Sequence, residues 1–408
     1  MAKKYDVIIV GGGIFGCAVA YYLCRQSTMK VALVERGMIG AQTTSLAASV
    51  VTRGKATFAQ IDLVLETHRA IDALETGLGM SLDFNHVGSL HIAQSEQSAR
   101  DYAAQAARLK EIGDAPKEVS LARAKRFAPW LTLDRAELII HNARDGFIDP
   151  YRLASAYLQG AKAHGGLDIL SSTEVLGLNV DGRRVRGIET DGGYLEAEQI
   201  VVAAGPWANH LLRPAGSAAA IAPVRSHYWI TGPDHRYPVH SPVVILPEAN
   251  AYARPEVGGL LFGLRHEPNQ WLHPEALPKT LHGLSFDEDY QGWDALAEAV
   301  GPLLALCPSL AEVDIQNYIS GPSGYTPDGK HIIGPAPNLD GVYLAAGCCG
   351  SGLTISGGVG RAIAELVQGK ASTVDLTDFA PDRFGAFDPY DQAFIETCAQ
   401  SRFRKKAG

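Results

Sequence analysis

Three glycines near the start of the chain have the spacing of a dinucleotide-binding loop. Gly11, Gly13 and Gly16 follow a short apolar run at 7–10 and precede a second apolar stretch of helical character. Gly11 permits a tight turn, Gly13 lets the backbone approach a pyrophosphate, and Gly16 allows close packing of helix on strand. The N–H groups at the start of that helix would face the anion. The loop therefore predicts a dinucleotide site.

A carboxylate follows the second apolar run, at 31–34. Glu35 stands where an acid can accept hydrogen bonds from ribose hydroxyls. With a strand before the glycines, a helix after them and this acid, the fingerprint is complete, and a ligand-free βα turn is the weaker interpretation. Nicotinamide and flavin dinucleotides share it, so it does not identify the cofactor.

Two later loops favour a flavin. An apolar run at 200–203 ends in small residues at 204–205, which would let the backbone pass close to a cofactor. Another run, at 342–346, leads into a second glycine loop at 347–354 and a helix predicted over 356–368. The N-terminus of that helix could stabilise negative charge on a reduced flavin ring. Close packing in a turn is the structural alternative for each loop.

Bulk properties limit the class of protein. A chain of 408 residues exceeds what one hydrophobic core usually fills, so two domains are expected. The net charge of -8 argues against a nucleic-acid partner, and no apolar run approaches the roughly 20 residues of a membrane span. The six cysteines lack metal-ligand spacing, so no metal site is predicted, and reduced thiols favour a cytoplasmic protein.

The chain resembles the D-amino acid oxidase, glycine oxidase and sarcosine oxidase superfamily over nearly its whole length. The motifs that carry the resemblance are 10–16 with 35–37, 40–48, 203–207, 325–330 with 333–335, 347–360, and 375–384. Within the superfamily, segments 252–259 and 321–322 are most similar to the dimethylglycine and sarcosine dehydrogenase branch.

The resemblance implies an α/β plus α+β fold, in which a Rossmann-type FAD-binding domain joins a discontinuous antiparallel-sheet substrate domain. The FAD-binding domain would comprise 1–79, 151–211 and 326–408, and the substrate domain 80–150 and 212–325. The sequence agrees, because 222–265 alternates short apolar runs with Gly and Pro turns, and because helical periodicity over 99–112 predicts a covering helix.

The resemblance also implies a set of FAD contacts. These are Gly11, Gly13, Ile14, Phe15, Gly16, Glu35, Arg36, Thr43, Thr44, Ser45, Ala47, Val175, Ala204, Gly205, Trp207, Gly350, Ser351, Gly352, Leu353 and Thr354. Some members of the superfamily tether the flavin through a cysteine where this chain has Gly321, and others through a histidine where it has Leu46. Non-covalent FAD is therefore expected, with Cys348 and Cys349 as small packing residues.

The cations that members of the superfamily use to bind a substrate carboxylate are absent, since Ser323 and Thr354 occupy their positions. Either other cations hold the carboxylate or the substrate is not a simple α-amino acid. Replacement candidates are Arg53, Arg225, His227, Tyr228, Tyr252, Arg254 and Arg265. Strand alternation puts Tyr252 and Arg254 on one face, a guanidinium fork beside a phenol, and His227 could tune the protonation of an amine. A strand-edge or surface role is the alternative for each.

The expected activity is FAD-dependent oxidation of a C–N bond in a small amino acid or N-alkyl amino acid. Hydride transfer to flavin N5 would give an imine that hydrolyses. A 2-hydroxy acid dehydrogenase on the same scaffold is one alternative, and an electron-relaying flavoprotein subunit of a hetero-oligomeric dehydrogenase is another. The expected partner is a small-molecule amine, with a homo-oligomer or a larger dehydrogenase complex left open.

Overall fold

The computed structural model describes residues 3–286 and 291–404. The ends of the predicted domain segments at 1–2 and 405–408, and the stretch 287–290, lie outside the described residues. The strands are β1 (Lys3–Lys4), β2 (Val7–Val10), β3 (Val31–Val34), β4 (Val50–Val51), β5 (Ser89–Ala93), β6 (Lys117–Glu118), β7 (Leu138–Asn142), β8 (Gly146–Phe147), β9 (Leu167–Leu170), β10 (Val175–Asp181), β11 (Arg184–Thr190), β12 (Gly193–Glu196), β13 (Ile200–Val202), β14 (Ala222–Thr231), β15 (Val243–Leu246), β16 (Ala251–Glu256), β17 (Gly259–Leu264), β18 (Ile315–Tyr325), β19 (Ile332–Pro335) and β20 (Val342–Ala346). The α-helices are α1 (Ile14–Gln26), α2 (Phe58–Leu78), α3 (Glu96–Glu111), α4 (Leu121–Phe127), α5 (Pro150–His164), α6 (Ala208–Leu212), α7 (Trp293–Ala299), α8 (Gly301–Leu306), α9 (Gly352–Val367) and α10 (Gln392–Arg404).

A mostly parallel sheet forms the centre of the N-terminal region. Its strand order is β19-β20-β13-β2-β3-β9, and only the β19–β20 pair is antiparallel. Every residue of β2 and β3 is buried, as expected when helices or strands cover both faces of a parallel sheet. The strands predicted at 7–10, 31–34, 200–203 and 342–346 are confirmed to within a residue.

Helices α1, α2, α5 and α9 pack together on one face of this sheet. Helix α9 begins at Gly352, four residues before the predicted start at 356, so the glycines taken for its beginning lie inside it. They serve helix packing. A Cβ on Gly358 would lie 2.3 Å from Leu63 Cα in α2, and one on Gly360 would lie 2.7 Å from the carbonyl carbon of Ala18 in α1.

The opposite face of the parallel sheet packs against a second apolar cluster that includes residues of the four-stranded sheet β1-β12-β11-β10. In the described part of the chain, no helix is long and apolar enough to cross a membrane.

A second large sheet has the order β18-β14-β17-β16-β15-β5-β7-β6 and is antiparallel except for the β15–β5 pair. The predicted alternation over 222–265 is confirmed as four of its strands, and the covering helix predicted over 99–112 is α3. Helix α10 packs on β14 and β18. The division of the chain into two domains at the predicted boundaries stays a proposal.

A buried carboxylate joins the two regions near the site. Asp145 is fully buried and accepts hydrogen bonds from Ser89 Oγ at 2.6 Å and from the Arg53 backbone N–H at 3.0 Å. The adjacent β4–β8 pair links the same segments. Together these contacts fix the segment after β3, which includes β4 and Arg53, against the second large sheet.

Candidate active site

The first glycine loop is closed by backbone contacts that leave no room for side chains. Gly11 has a φ of +109°, and a Cβ on it would lie 2.6 Å from the carbonyl oxygen of Ala203. A Cβ on Gly16 would lie 1.9 Å from the carbonyl oxygen of Gly11. Gly13, the N-cap of α1, provides no side-chain cap. The first turn of α1 therefore presents backbone to the neighbouring cleft, an arrangement that suits a pyrophosphate.

Glu35 holds this loop from the end of β3. Its carboxylate accepts hydrogen bonds of 2.8 Å from the backbone N–H groups of Gly12 and Gly37. It also lines a cleft of about 270 Å³, together with Gly11, Gly13, Arg36 and Trp207 among others. The Arg36 guanidinium stacks over the Trp207 ring at 4.5 Å, which gives the cleft a flat, partly cationic wall.

A second cavity, of about 210 Å³, adjoins this cleft, and Thr43, Thr44, Ala203 and Gly205 line both. The N-terminus of α9 enters it, and the N-cap of that helix, Ser351, makes no side-chain cap. The N-terminus of a 16-residue helix is a favourable environment for negative charge on a flavin ring. The backbone cradle, the acid and the second helix N-terminus all fit FAD laid along the cleft.

The structure brings most of the predicted FAD contacts to these two spaces. The cleft is lined by Gly11, Gly13, Glu35, Arg36, Thr43, Thr44, Val175, Ala204, Gly205 and Trp207, and the cavity by Ile14, Phe15, Thr43, Thr44, Ala47, Gly205, Gly350, Ser351, Gly352, Leu353 and Thr354. Two predicted contacts line neither. Gly16 acts in packing α1, and Ser45 is exposed and donates its hydroxyl to the backbone of its own turn.

The two positions that lack a tethering side chain lie against each other. A Cβ on Gly321 would come within 2.3 Å of Leu46 Cδ1, so the space is filled by leucine. Cys348 lines the cavity and is partly buried, whereas Cys349 is fully buried beside Thr326. The geometry agrees with non-covalent FAD.

Four of the predicted substrate residues line the cavity, namely His227, Tyr228, Tyr252 and Arg265. Tyr252 lies directly opposite Gly263 on the neighbouring strand, where a Cβ would come within 2.3 Å of its ring. Burial raises the pKa of Tyr252 to about 12, so its hydroxyl is a hydrogen-bond donor at neutral pH. His227 Nδ1 lies 3.1 Å from the Tyr318 hydroxyl. Burial and the nearby Arg402 hold the pKa of His227 well below its usual range, so the ring is neutral.

The structure does not bring Arg53, Arg225 or Arg254 to the lining of the cavity. Arg254 Nε donates to the carbonyl of Ala48 at 2.8 Å, and its Nη1 donates to the carbonyl of Pro255 and to Glu256. Its guanidinium also stacks on the Phe147 ring at 4.4 Å. Arg53 pairs with Asp114 at 3.2 Å. The chosen pair of Tyr252 with Arg254 is therefore divided: the phenol faces the cavity and the guanidinium is held in structural contacts.

Other cations line the cavity in their place. These are Lys55, Arg265 and Arg402, and Ser226 and Tyr325 line the same cavity. Arg265 is among the replacement candidates from the sequence, but Arg402 is not, because it belongs to no motif. A signal was present: Ile395, Cys398, Ala399 and Arg402 share one helical face, so an arginine interrupts an otherwise apolar stripe.

Comparisons with known proteins agree with this geometry. A family model described as FAD dependent oxidoreductase matches residues 6–366. Dimethylglycine dehydrogenase, mitochondrial, of Rattus norvegicus is 27% identical over 392 residues, which are 94% of this chain and 45% of that protein. Glycine oxidase of Geobacillus kaustophilus is 25% identical over 396 residues, 94% of this chain and 98% of that one.

The chain thus spans less than half the length of the mitochondrial relative. Among solved structures, L-proline dehydrogenase from P. horikoshii superposes with a TM-score of 0.81 at 23% identity, covering 94% of this chain and 98% of that one. This similarity shows a common fold.

Proposed function

This chain belongs to the FAD dependent oxidoreductase family, and we propose that it oxidises a C–N bond of a small amino acid or N-alkyl amino acid. FAD, when bound, supplies the hydride acceptor at N5. The observation that carries the proposal is the composition of the cavity beside the second glycine loop. Among its described lining residues are three cations and several hydroxyls but no Asp or Glu.

Such a cavity suits a small anion with an apolar body. The cations would hold a carboxylate, and the apolar residues around Ile14, Phe15 and Leu353 would exclude water from the reacting carbon. Dimethylglycine dehydrogenase and glycine oxidase are both named for substrates that carry an amine and a carboxylate. That shared chemistry supports an amine substrate here.

The protein's own groups would orient the amine and control its protons. His227 is neutral at pH 7, so it adds no charge that would oppose an ammonium ion, and its unprotonated ring would accept a hydrogen bond from the amine. Tyr252 keeps its proton throughout the physiological range and would donate a hydrogen bond to the substrate. The N-terminus of α9 would stabilise the negative charge left by hydride transfer.

The flavin is proposed to be non-covalent, since leucine and glycine fill the positions of the two known tethers. A reducing compartment such as the cytoplasm is also part of the proposal, because none of the six cysteines, all of which lie in the described residues, is in a disulfide. If the flavin is non-covalent, precipitation of the protein with acid should release the yellow FAD into the supernatant.

The test is an anaerobic titration of the purified protein with two panels of compounds. Glycine, sarcosine, N,N-dimethylglycine, proline and both enantiomers of alanine form the amine panel, and glycolate and lactate form the hydroxy acid panel. We expect at least one amine to bleach the oxidised flavin band and to yield a carbonyl product. Bleaching by a hydroxy acid but by no amine would contradict the proposal.

A further inference from the structure

The side chain of Arg402 reaches the cavity from α10, beyond the residues matched by the family model. It is 4% exposed. Its Nη1 donates to Asn269 Oδ1 at 2.8 Å and its Nη2 to the carbonyl of Leu264 at 3.0 Å. Asn269 in turn donates from Nδ2 to the carbonyl of Ala399 at 2.9 Å. Two neutral acceptors therefore fix the orientation of the guanidinium.

The charge of Arg402 has no acidic partner among the described residues. Burial lowers the pKa of Arg402, and the nearby Arg265 and Arg225 lower it further, whereas the phenols of Tyr325 and Tyr252 raise it. His227 also lies close enough for Arg402 to oppose its protonation. A buried cation is costly unless an anion pairs with it. An uncharged side chain could donate hydrogen bonds to these two neutral acceptors equally well, so they do not explain why a charged residue is present.

The neighbouring hydroxyls complete a set of donors. Tyr325 is buried, lines the cavity and lies 3.5 Å from Ser226 Oγ, and Tyr252 faces the same space. Ser323 is two residues before Tyr325 in β18, so the two side chains leave the strand on the same side. Arg402, on the adjoining helix α10, lines the same cavity as Ser323 and Tyr325. It can therefore supply the cation that is absent at Ser323.

We propose that Arg402 binds the carboxylate of the substrate, with the hydroxyls of Tyr252 and Tyr325 beside it. This assignment rests on the proposed function, because it places an amino acid in the same cavity. It makes the C-terminal helix part of the substrate site, and it places the anionic group at the wall formed by α10 and the second sheet. The planar fork of a guanidinium can hold both carboxylate oxygens.

A purely structural role would predict a different behaviour. If Arg402 only joined α10 to Leu264 and Asn269, its replacement would lower the melting temperature but leave the affinity of the folded protein for carboxylates unchanged. Affinity for an anion and for its neutral isostere separates the two roles.

The experiment uses the FAD-loaded protein with propionate, which is not an amine, and propionamide as its neutral isostere. Binding is measured by calorimetry and by the shift of the flavin spectrum. We expect propionate to bind wild type more tightly than propionamide. Arg402→Gln should raise the Kd for propionate roughly 10- to 100-fold, the loss typical of a charge-assisted contact, and leave that for propionamide unchanged.

Arg404→Gln is the matched control, since Arg404 is exposed on the same helix and donates to Gln400. It should bind propionate like wild type. Should Arg402→Gln lose its FAD, Arg402→Lys decides the matter, with an expected weakening of roughly 3- to 10-fold because a point charge lacks the fork. An unchanged Kd for propionate in folded Arg402 variants overturns the assignment, as does equal binding of propionate and propionamide by wild type. Arg402-dependent propionate binding in a protein that no amine bleaches would contradict the proposed function alone.

Discussion

The carboxylate of Glu35 accepts a hydrogen bond of 2.8 Å from the backbone N–H of Gly12, so the acid at the end of β3 holds the glycine loop as well as lining the cleft. It links the two halves of the fingerprint physically. The role expected of it at the ribose then has a second part, which is to keep the loop in its binding conformation.

Replacing Glu35 should weaken FAD binding. Glu35→Ala removes charge-assisted hydrogen bonds that are each worth roughly 1.5–3 kcal/mol, so the Kd for FAD should rise on the order of 10- to 100-fold or more. Glu35→Gln keeps one acceptor and should have an intermediate effect. The measurement is fluorescence titration of apoprotein with FAD, and equal affinities in wild type and Glu35→Ala would refute this role.

Gly16→Ala should prevent stable FAD binding because its Cβ would lie 1.9 Å from the Gly11 carbonyl oxygen. Either the loop or helix α1 must move. Gly77→Ala is the control: Gly77 lies in helix α2, and no atom beyond its own stretch of helix lies within 4 Å of the added carbon. The control should gain about 0.5–1 kcal/mol in the free energy of unfolding. Full FAD content in purified Gly16→Ala would show that the close contact is not required.

Tyr252→Phe should lower kcat/KM about 10-fold while FAD content stays full, since one hydrogen bond to the substrate is lost. Because the pKa of Tyr252 is raised to about 12, the hydroxyl is protonated throughout, and the same loss is expected at pH 7 and pH 9. Steady-state assays at both pH values check this. A loss that appears only at one pH, or none at all, would show that the hydroxyl does not donate to the substrate.

Acid should destabilise the fold partly through His68. Burial lowers the pKa of this histidine from 6.5 to about 4, so between these values the unfolded chain binds a proton that the native state does not. Stability therefore falls as the pH falls through this window, by up to about 3 kcal/mol from this group. Urea unfolding at pH 7 and pH 4.5 should show a smaller loss in His68→Gln than in wild type. Equal losses would mean that the native state protonates His68 readily.

The elements that could be predicted from the sequence are those whose signals are local. The strands at 7–10 and 342–346 are uninterrupted apolar runs, and the turn at Gly11 demands a glycine. The start of α9 could not be predicted correctly, because glycine is common both at helix boundaries and where helices cross. Only the packing of α9 on α1 and α2 shows which of these applies.

The substrate side could be predicted less well. Strand alternation correctly put Tyr252 on the face of β16 that borders the cavity. Arg254 leaves the strand on the same side, but its long side chain turns toward Ala48 and Glu256. Arg402 lies some 150 residues from Tyr252 in sequence, and only the folded chain puts both at one cavity. Its place on the apolar stripe of α10 was the one local clue.

The most direct test of the proposed function is a single turnover under anaerobic conditions with the best amine. The same amine is then used with deuterium on the carbon of the C–N bond that is oxidised. If the bond to that hydrogen breaks as the flavin is reduced, bleaching should be slower with the deuterated amine. One carbonyl product should then form for each flavin reduced. Flavin that no amine of the panel bleaches, while a 2-hydroxy acid does, would contradict the proposed C–N oxidation.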